Sequence, residues 1–221
     1  MLKLENISKS FAQRGVVLDN LNLEAREGDS ISITGPSGSG KTTLMNIIGA
    51  LDRPGSGDIL FRGNSILSYD PDELAKYRNR NIGFVFQDHL LLNHLTVKEN
   101  IMLPIFAEKI SDKEYSEKEE YTVLLMERIG ITGLKDKYPF QVSGGEAQRA
   151  TLVRALIGKP SIILADEPTG SLDSKNADLL GRLLVDMNRD FGITLIVATH
   201  SHNLASMMGL HFILEEGKLK G

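Results

Sequence analysis

Cysteine is absent from this chain of 221 residues. Without cysteine there is no disulfide, and the chain fits a reducing compartment. Long apolar runs are missing as well, since none approaches the roughly 18 residues that a membrane-spanning helix needs. The N-terminus alternates apolar and polar residues and lacks the apolar core of a signal peptide. We therefore expect a soluble cytosolic protein, whose contact with a membrane would come through a partner.

A basic excess is also missing. The chain has 25 basic and 29 acidic residues, which gives a net charge of -4. A dedicated nucleic-acid-binding protein usually carries a basic excess, so the charge argues against nucleic acid as a partner. The remaining composition, 41% hydrophobic and 24% charged, is ordinary for a globular protein.

Strand and helix patterns alternate at both ends of the chain but not in its middle. Short β-branched or alternating apolar runs predict strands at residues 2–7, 21–25, 30–34, 58–61, 82–86, 162–165, 193–199 and 211–214. Helical patterns cover residues 42–51, the segment that begins at Asp70, and residues 176–188. Residues 88–158 carry only helical signals. We predict an α/β core, 1–87 and 159–221, with an inserted helical lobe at about 88–158.

A glycine-rich loop lies between a predicted strand and a predicted helix. It matches the pattern G-x-x-x-x-G-K-[ST] in full, with the residues Gly35, Pro36, Ser37, Gly38, Ser39, Gly40, Lys41 and Thr42. Glycines let backbone N–H groups point at an anion, and the helix N-terminus adds positive potential. Lys41 is expected to reach the β- and γ-phosphates, Thr42 to bind Mg²⁺, and Thr43 to contact the α-phosphate. The flanking strand and helix disfavour the alternative of a turn that merely carries a lysine.

Two adjacent carboxylates, Asp166 and Glu167, end an apolar run. A buried strand would deliver both at its C-terminal end, where open α/β sheets bind ligands. Asp166 suits the Mg²⁺ shell, and Glu167 suits a general base or a water-positioning group at the γ-phosphate. Alone, the pair is equally well explained as a solvated acidic turn. Beside a phosphate loop, the second carboxylate favours hydrolysis.

Residues 142–149, with the sequence V-S-G-G-E-A-Q-R, resemble the signature of ABC ATPases, commonly written L-S-G-G-Q. Ser143 and Glu146 also have the spacing of an ordinary capping box, and both interpretations are compatible. A capped helix start at Gly144 and Gly145 exposes N–H groups that suit a γ-phosphate. Val142 and Glu146 replace the usual leucine and glutamine, as in some subfamilies.

Further residues resemble other parts of the ABC ATPase pattern, in the same order. Gln87 resembles the Q-loop glutamine, which implies a catalytic role and a place beside Mg²⁺. Asp173 resembles the D-loop aspartate, and His200 resembles the switch histidine. Phe11 stands where the family places an aromatic residue against adenine, with Val17 or its neighbour beside it, although a phenylalanine there could also be core. The four other histidines are expected to be structural.

The resemblance covers essentially the whole chain and implies one ABC ATPase domain, 1–221. It implies a P-loop NTPase (RecA-like) core with an antiparallel β subdomain and an inserted α-helical subdomain. It also implies an ATP hydrolase that uses ATP and Mg²⁺ as a head-to-tail homodimer, in which ATP at Lys41 of one copy meets Ser143 and Gly145 of the other.

Membrane permease subunits would be the partners, at the cytoplasmic face of the inner membrane, where this chain would be peripheral. Residues 44–54, 95–101 and 165–170 are similar to the lipoprotein-releasing and macrolide-export group. Leucines at positions 90, 91, 92 and 95 look exposed, so we expect residues 87–106 either to receive a partner's cytoplasmic helix or to pack the helical lobe.

Two other functions compete with this one. A soluble ABC ATPase of iron–sulfur cluster assembly fits the same motifs, whereas a chromosome-maintenance ATPase needs a long coiled coil that the 102 positions between Lys41 and Ser143 cannot hold. The second competing function is that of a degenerate ATP-binding module without catalysis. The presence of Glu167, Gln87 and His200 argues against it.

Overall fold

The computed structural model describes residues 1–107 and 109–221. Within them the chain forms ten strands and seven α-helices, joined by loops and short 3-10 turns. The strands are β1 Leu2–Phe11, β2 Gly15–Ala25, β3 Ser30–Thr34, β4 Ser56–Phe61, β5 Asn64–Ser65, β6 Ile82–Phe86, β7 Ile162–Asp166, β8 Thr194–Ala198, β9 Leu210–Glu215 and β10 Lys218–Lys220. The α-helices are α1 Lys41–Ile48, α2 Pro71–Asn81, α3 Val97–Met102, α4 Asp112–Arg128, α5 Gly144–Leu156, α6 Ser174–Phe191 and α7 His202–Ser206.

The larger sheet has six strands in the order β10-β9-β3-β8-β7-β6. All its neighbouring pairs are parallel except the pair that β10 makes with β9. Parallel strands are buried on both faces, which explains why β7 and β8 are continuous apolar runs. Parallel order also brings the carboxyl ends of β3, β6, β7 and β8 to one edge of the sheet. The loops that follow these four strands therefore converge.

The smaller sheet is antiparallel, with the order β2-β1-β4-β5. Leu2 and Leu4 of β1 are buried while Lys3 between them is exposed, which is the alternation of a strand with one solvated face. This sheet confirms the antiparallel β subdomain, and the two sheets together confirm the α/β fold class.

Two apolar cores lie on opposite faces of the parallel sheet. Side chains alternate between the faces along each strand, so Ile162 and Leu164 of β7 join one core and Ile163 and Ala165 join the other. The first core is closed by α1 and the antiparallel sheet. The second is closed by α3, α4, α5 and α6. The helical lobe thus shares its core with the sheet, which links the position of α5 to the strand ends.

The described part of residues 88–158 contains helices and no strand, as the pattern predicted. Asp70, Thr96 and Ser143 cap α2, α3 and α5, and each accepts a hydrogen bond from the backbone of a glutamate three residues later. That glutamate bonds back to the cap, which completes a capping box in each case. The domain boundaries themselves stay a prediction. Among the described helices, none has the length and apolarity needed to cross a bilayer.

Candidate active site

The glycine loop between β3 and α1 depends on backbone conformations that other residues rarely adopt. Gly35 and Gly40 have positive φ angles of 148° and 106°. A Cβ atom at Gly35 would lie 2.2 Å from the carbonyl oxygen of Leu214, and one at Gly40 would lie 2.9 Å from Cγ1 of Val17. Glycine is therefore required at both positions, for backbone shape and for space.

Lys41 is the first residue of α1, directly after this loop, and is only 8% exposed. Its ammonium group donates to the carbonyl oxygens of Gly35, at 2.8 Å, and Pro36, at 3.1 Å. Its nearest carboxylate is that of Glu167, at 3.8 Å. A phosphate accepts stronger hydrogen bonds than a carbonyl, so this buried cation is suited to exchange its carbonyl partners for phosphate oxygens.

The start of α1 differs from the other long helices in having no capping side chain. Its N-cap is Gly40, in the left-handed region, and no side chain accepts from its first N–H groups. By contrast Asp70, Ser111, Ser143 and Asp173 cap α2, α4, α5 and α6. The free N–H groups of α1, together with the helix dipole, favour an anion at this point.

Asp166 is the last residue of β7. Burial raises the pKa of its carboxyl above the usual value, and a hydrogen bond with the Thr42 side chain opposes that rise in part. Its Oδ1 atom is buried and has no hydrogen-bond partner among the described residues. A buried carboxylate oxygen without a partner, next to a hydroxyl, is a donor set that fits Mg²⁺.

Glu167 follows Asp166 and has a φ of 47°, a left-handed conformation that is uncommon for a residue with a side chain. Its N–H donates to the carbonyl of Ala198, at 2.8 Å. Its Oε2 accepts from the backbone N–H of His200 at 3.1 Å and lies 2.9 Å from Nδ1 of the same residue. The hydrogen bond to the end of β8 therefore holds the strained backbone of Glu167 in place. In this conformation the carboxylate points toward Lys41 and His200.

Gln87 directly follows β6 and is exposed. Its carbonyl accepts from the Ser171 hydroxyl at 3.3 Å. A Cβ atom at Gly170 would lie 3.1 Å from Cδ of Gln87, so the glutamine side chain packs against that glycine. The loop after β7 thus determines where Gln87 can lie.

These elements enclose a cavity of about 580 Å³. It is lined by residues from the β1–β2 hairpin, the glycine loop and the ends of β6, β7 and β8: Arg14, Val17, Ser37, Gly38, Gly40, Lys41, Thr42, Thr43, Gln87, Glu167 and His200. Ten of these eleven are among the predicted site residues. Arg14 was not predicted, although its position between Phe11 and Val17 in a hairpin was a signal.

Other predicted residues do not line the cavity. Among them are Gly35, Pro36 and Ser39 of the glycine loop, and the buried hydroxyl of Ser39 has no hydrogen-bond partner among the described residues. Phe11 ends β1 with 38% of its surface exposed, and the ammonium of Lys9 lies 5.2 Å above its ring. Contact between Phe11 and adenine stays a prediction.

The signature residues form a separate surface at the start of α5. The hydroxyl and backbone N–H of Ser143 both donate to the Glu146 carboxylate at 2.8 Å, and these bonds lower the pKa of Glu146. Asn176 joins this surface to α6, because a Cβ atom at Gly145 would lie 2.5 Å from its Oδ1. Its backbone N–H donates to Asp173, the α6 cap, at 2.9 Å. Sequence reasoning missed Asn176, which no motif marks.

None of Ser143, Gly144, Gly145, Glu146 and Asp173 lines the cavity around Lys41. The structure therefore brings the phosphate loop, both carboxylates, Gln87 and His200 together in one chain. It does not bring the signature to them.

Comparison with known proteins gives the family. A sequence profile of the ABC transporter family matches residues 18–170. The lipoprotein-releasing system ATP-binding protein LolD of Bacteroides thetaiotaomicron is 42% identical, over 100% of this chain and 99% of its own length. The bacitracin export ATP-binding protein BceA of Halalkalibacterium halodurans is 41% identical, over 99% of this chain and 87% of its own length.

Comparison with solved structures gives the same family. The dimeric structure of MJ0796, a bacterial ABC transporter cassette, is 38% identical, covers 100% of this chain and 97% of its own, and has a TM-score of 0.89. A post-hydrolysis dimer of that cassette, bound to ADP and Pi, has the same identity and coverage and a TM-score of 0.86.

The chain belongs to the ABC transporter family. It is an ATP-binding and ATP-hydrolysing subunit, in the group that contains the lipoprotein-release and export ATPases. The relatives named above are transporter subunits, so the alternative of an iron–sulfur assembly ATPase is not favoured.

Proposed function

We propose that this protein hydrolyses ATP as a head-to-tail homodimer and thereby drives a membrane permease of the lipoprotein-release or export type. One observation carries the proposal. The cavity around Lys41 contains phosphate-binding and carboxylate groups, whereas Ser143 and Gly144 form an exposed helix start outside it. A second copy related by two-fold symmetry would supply the missing side of each site. The dimeric MJ0796 cassette supports this arrangement.

Within one copy, the glycine loop and the uncapped start of α1 would hold the phosphates. Lys41 would contact the β- and γ-phosphates, and Thr43 the α-phosphate. Thr42, Asp166 and Gln87 would hold Mg²⁺, which supplies charge neutralisation between the phosphates when bound. Val17 and Phe11 would border the base, and Arg14 adds a cation at the same end of the cavity.

Glu167 is the group that would orient the attacking water and accept its proton. Its Oε2 is held by the backbone N–H and the Nδ1 of His200, so the carboxylate is aimed before substrate arrives. The ammonium of Lys41 lies 3.8 Å from the other carboxylate oxygen, Oε1. In the partner copy, Ser143 and Gly145 would contact the γ-phosphate, and Asp173 would link the two sites.

The permease would dock in a groove of about 450 Å³ along the edge strand β6. Leu51, Phe84 and Phe86 line it together with the arginines at positions 78 and 154. Leu90, which is 58% exposed, and Leu92 are available to a partner, as expected. Leu91 is buried in the core with α5, which corrects the expectation of its exposure. Docking there would keep this chain at the cytoplasmic face of the inner membrane.

A complementation experiment tests the composite site. Lys41→Ala breaks the phosphate loop and Ser143→Arg breaks the signature, so each variant alone should lose nearly all ATPase activity. In a mixed dimer, one site would combine both lesions and the other would be intact. We expect mixing to restore roughly a quarter of wild-type phosphate release, from statistical pairing of the copies. No recovery on mixing, with both variants folded, would show that the two elements act within one copy.

A further inference from the structure

Gln148 is a buried amide in α5, with only 1% of its surface exposed. Its Nε2 atom donates two hydrogen bonds, to the carbonyl oxygen of Phe86 at 2.5 Å and to that of Pro168 at 3.0 Å. Both partners are acceptors, which assigns the NH₂ end of the amide to this side. A side chain of the helical lobe thus binds the core at two points.

The two acceptors flank the groups that the reaction uses. Phe86 ends β6 and directly precedes Gln87. Pro168 directly follows Glu167. β6 and β7 are adjacent parallel strands in which Phe86 pairs with Asp166, so one amide holds two neighbouring strand ends together. The position of Gln148 therefore sets the positions of the backbone next to Gln87 and next to Glu167.

A second side chain of α5 holds the same loop on its other side. Arg154 donates to the carbonyls of His89 at 2.9 Å and Leu90 at 3.0 Å. The loop that carries Gln87 is therefore bound to α5 both before and after the glutamine. The N-terminus of α5 is the signature surface capped by Ser143.

From this arrangement we infer that Gln148 is a positioning residue, which ties the signature end of α5 to Gln87 and Glu167 of the same copy. The inference rests on the proposed function and deepens it. A helix is stiff over this length, so a shift of α5 when its N-terminus meets a partner's nucleotide moves the loop after β6 and the segment after Glu167. Gln148 itself does not line the cavity around Lys41, and it acts through these two residues.

A pair of variants separates this role from a merely structural one. Gln148→Met keeps the length of the side chain and removes both donors. Thr151→Val is the matched control, because Thr151 is also fully buried in α5 and donates only to the carbonyl of Gln148, at 2.8 Å. We expect kcat to fall about tenfold in Gln148→Met, with the ATP dissociation constant within about twofold of wild type. Thr151→Val is expected to keep its kcat within about twofold, since its lost bond lies inside the helix.

Equal kcat in the two variants would overturn the inference. So would an equal loss of ATP affinity and kcat in Gln148→Met, because that result would mean a general disturbance of the nucleotide cavity.

Gln148→Asn carries the test if the methionine variant fails to fold. It keeps the amide on a side chain that is shorter by one methylene group, so its NH₂ group cannot reach both carbonyl oxygens at hydrogen-bonding distance. We expect kcat to fall at least about threefold, with the ATP dissociation constant within about twofold of wild type. A wild-type kcat in Gln148→Asn would contradict a donor role.

Hydrogen exchange distinguishes failure of this inference from failure of the proposed function. Amides at residues 86–90 and 167–170 should exchange faster in Gln148→Met than in wild type or Thr151→Val, whereas those at residues 35–42 should not change. This measurement needs no turnover, so it remains decisive even if the wild-type protein does not hydrolyse ATP. Unchanged exchange at both segments would reject the inferred link between Gln148 and these two segments.

Discussion

The phosphate-loop face and the signature face both begin at a helix N-terminus, yet they are built in opposite ways. At α1 the cap is Gly40, no side chain covers the N–H groups, and charged residues converge in one cavity. At α5 the cap is complete, with Ser143 and Glu146 bonded to each other, and neither residue lines the cavity around Lys41. The first face can bind an anion alone. We propose that the second, a stable surface, acts on an anion presented by another copy.

The largest effect is expected from a variant that abolishes catalysis at the phosphate-loop face and leaves ATP binding intact. Glu167→Gln removes the proposed base but keeps the shape of the side chain, so we expect kcat to fall on the order of 100-fold or more. ATP-bound dimers should accumulate, as measured by size-exclusion chromatography beside a phosphate-release assay. Glu216→Gln is the matched control, because Glu216 also has a left-handed backbone, with a φ of 50°. Rapid turnover by Glu167→Gln would reject the general base.

The next effect concerns binding by a single copy. Lys41→Ala removes the buried cation from the glycine loop and should weaken ADP binding about 10-fold to 100-fold in calorimetry, because charge-assisted bonds to phosphate are lost. Ser143→Ala should leave the same dissociation constant within about twofold. Equal weakening in both variants would mean that the two faces meet within one chain.

A smaller effect is expected from the two capping boxes of α5 and α3, which are of the same kind. Ser143→Ala and Thr96→Ala each destroy a capping box, so each should lower the free energy of unfolding by about 1 kcal/mol in denaturant titrations. Ser143→Ala alone should also reduce kcat, about tenfold, since its hydroxyl lies at the signature face. A similar loss of kcat in Thr96→Ala would attribute the effect to helix stability.

The smallest effect comes from the partly buried carboxyl of Asp166. Its pKa is raised in the folded state, so folding favours the protonated form, and the carboxyl destabilises the protein as pH rises through and above the normal value. Asp166→Asn should therefore increase the free energy of unfolding by about 1 kcal/mol at pH 7 without nucleotide, and the gain should shrink toward pH 4. Thermal unfolding at both pH values measures it. If the increase in the free energy of unfolding of Asp166→Asn became larger as the pH falls, the predicted direction of the pH dependence would be wrong.

The first face was largely predictable from sequence, and the reason is local. Glycine spacing, the lysine and the following helix determine the loop around Lys41, because backbone conformation depends on neighbouring residues. β3 and β6 have the predicted bounds, because the run of isoleucines and hydroxyl residues in β3 and the largely apolar run in β6 end where the strands end. The short elements β5, β10 and α7 were not predicted, because two to five residues carry too little periodicity.

Three residues at or near the two faces were missed for a physical reason. Gln148 bonds to Phe86 across 62 positions of the sequence. Asn176 touches Gly145 from another helix, and Arg14 enters the cavity from a hairpin tip. A glutamine in an amphipathic helix looks like a solvated residue until the packing of the lobes buries it. No spacing rule marks such contacts.

The sequence by itself determined the chemistry of this protein: a phosphate cradle, two carboxylates, capped helices and the family to which they belong. These features depend on a few neighbouring residues and their intrinsic conformations. Only the tertiary structure decided that Gln87, Glu167 and His200 meet at one cavity and that the signature stays outside it. Strand order in the parallel sheet sets which loops converge, and that order follows from packing across the whole chain.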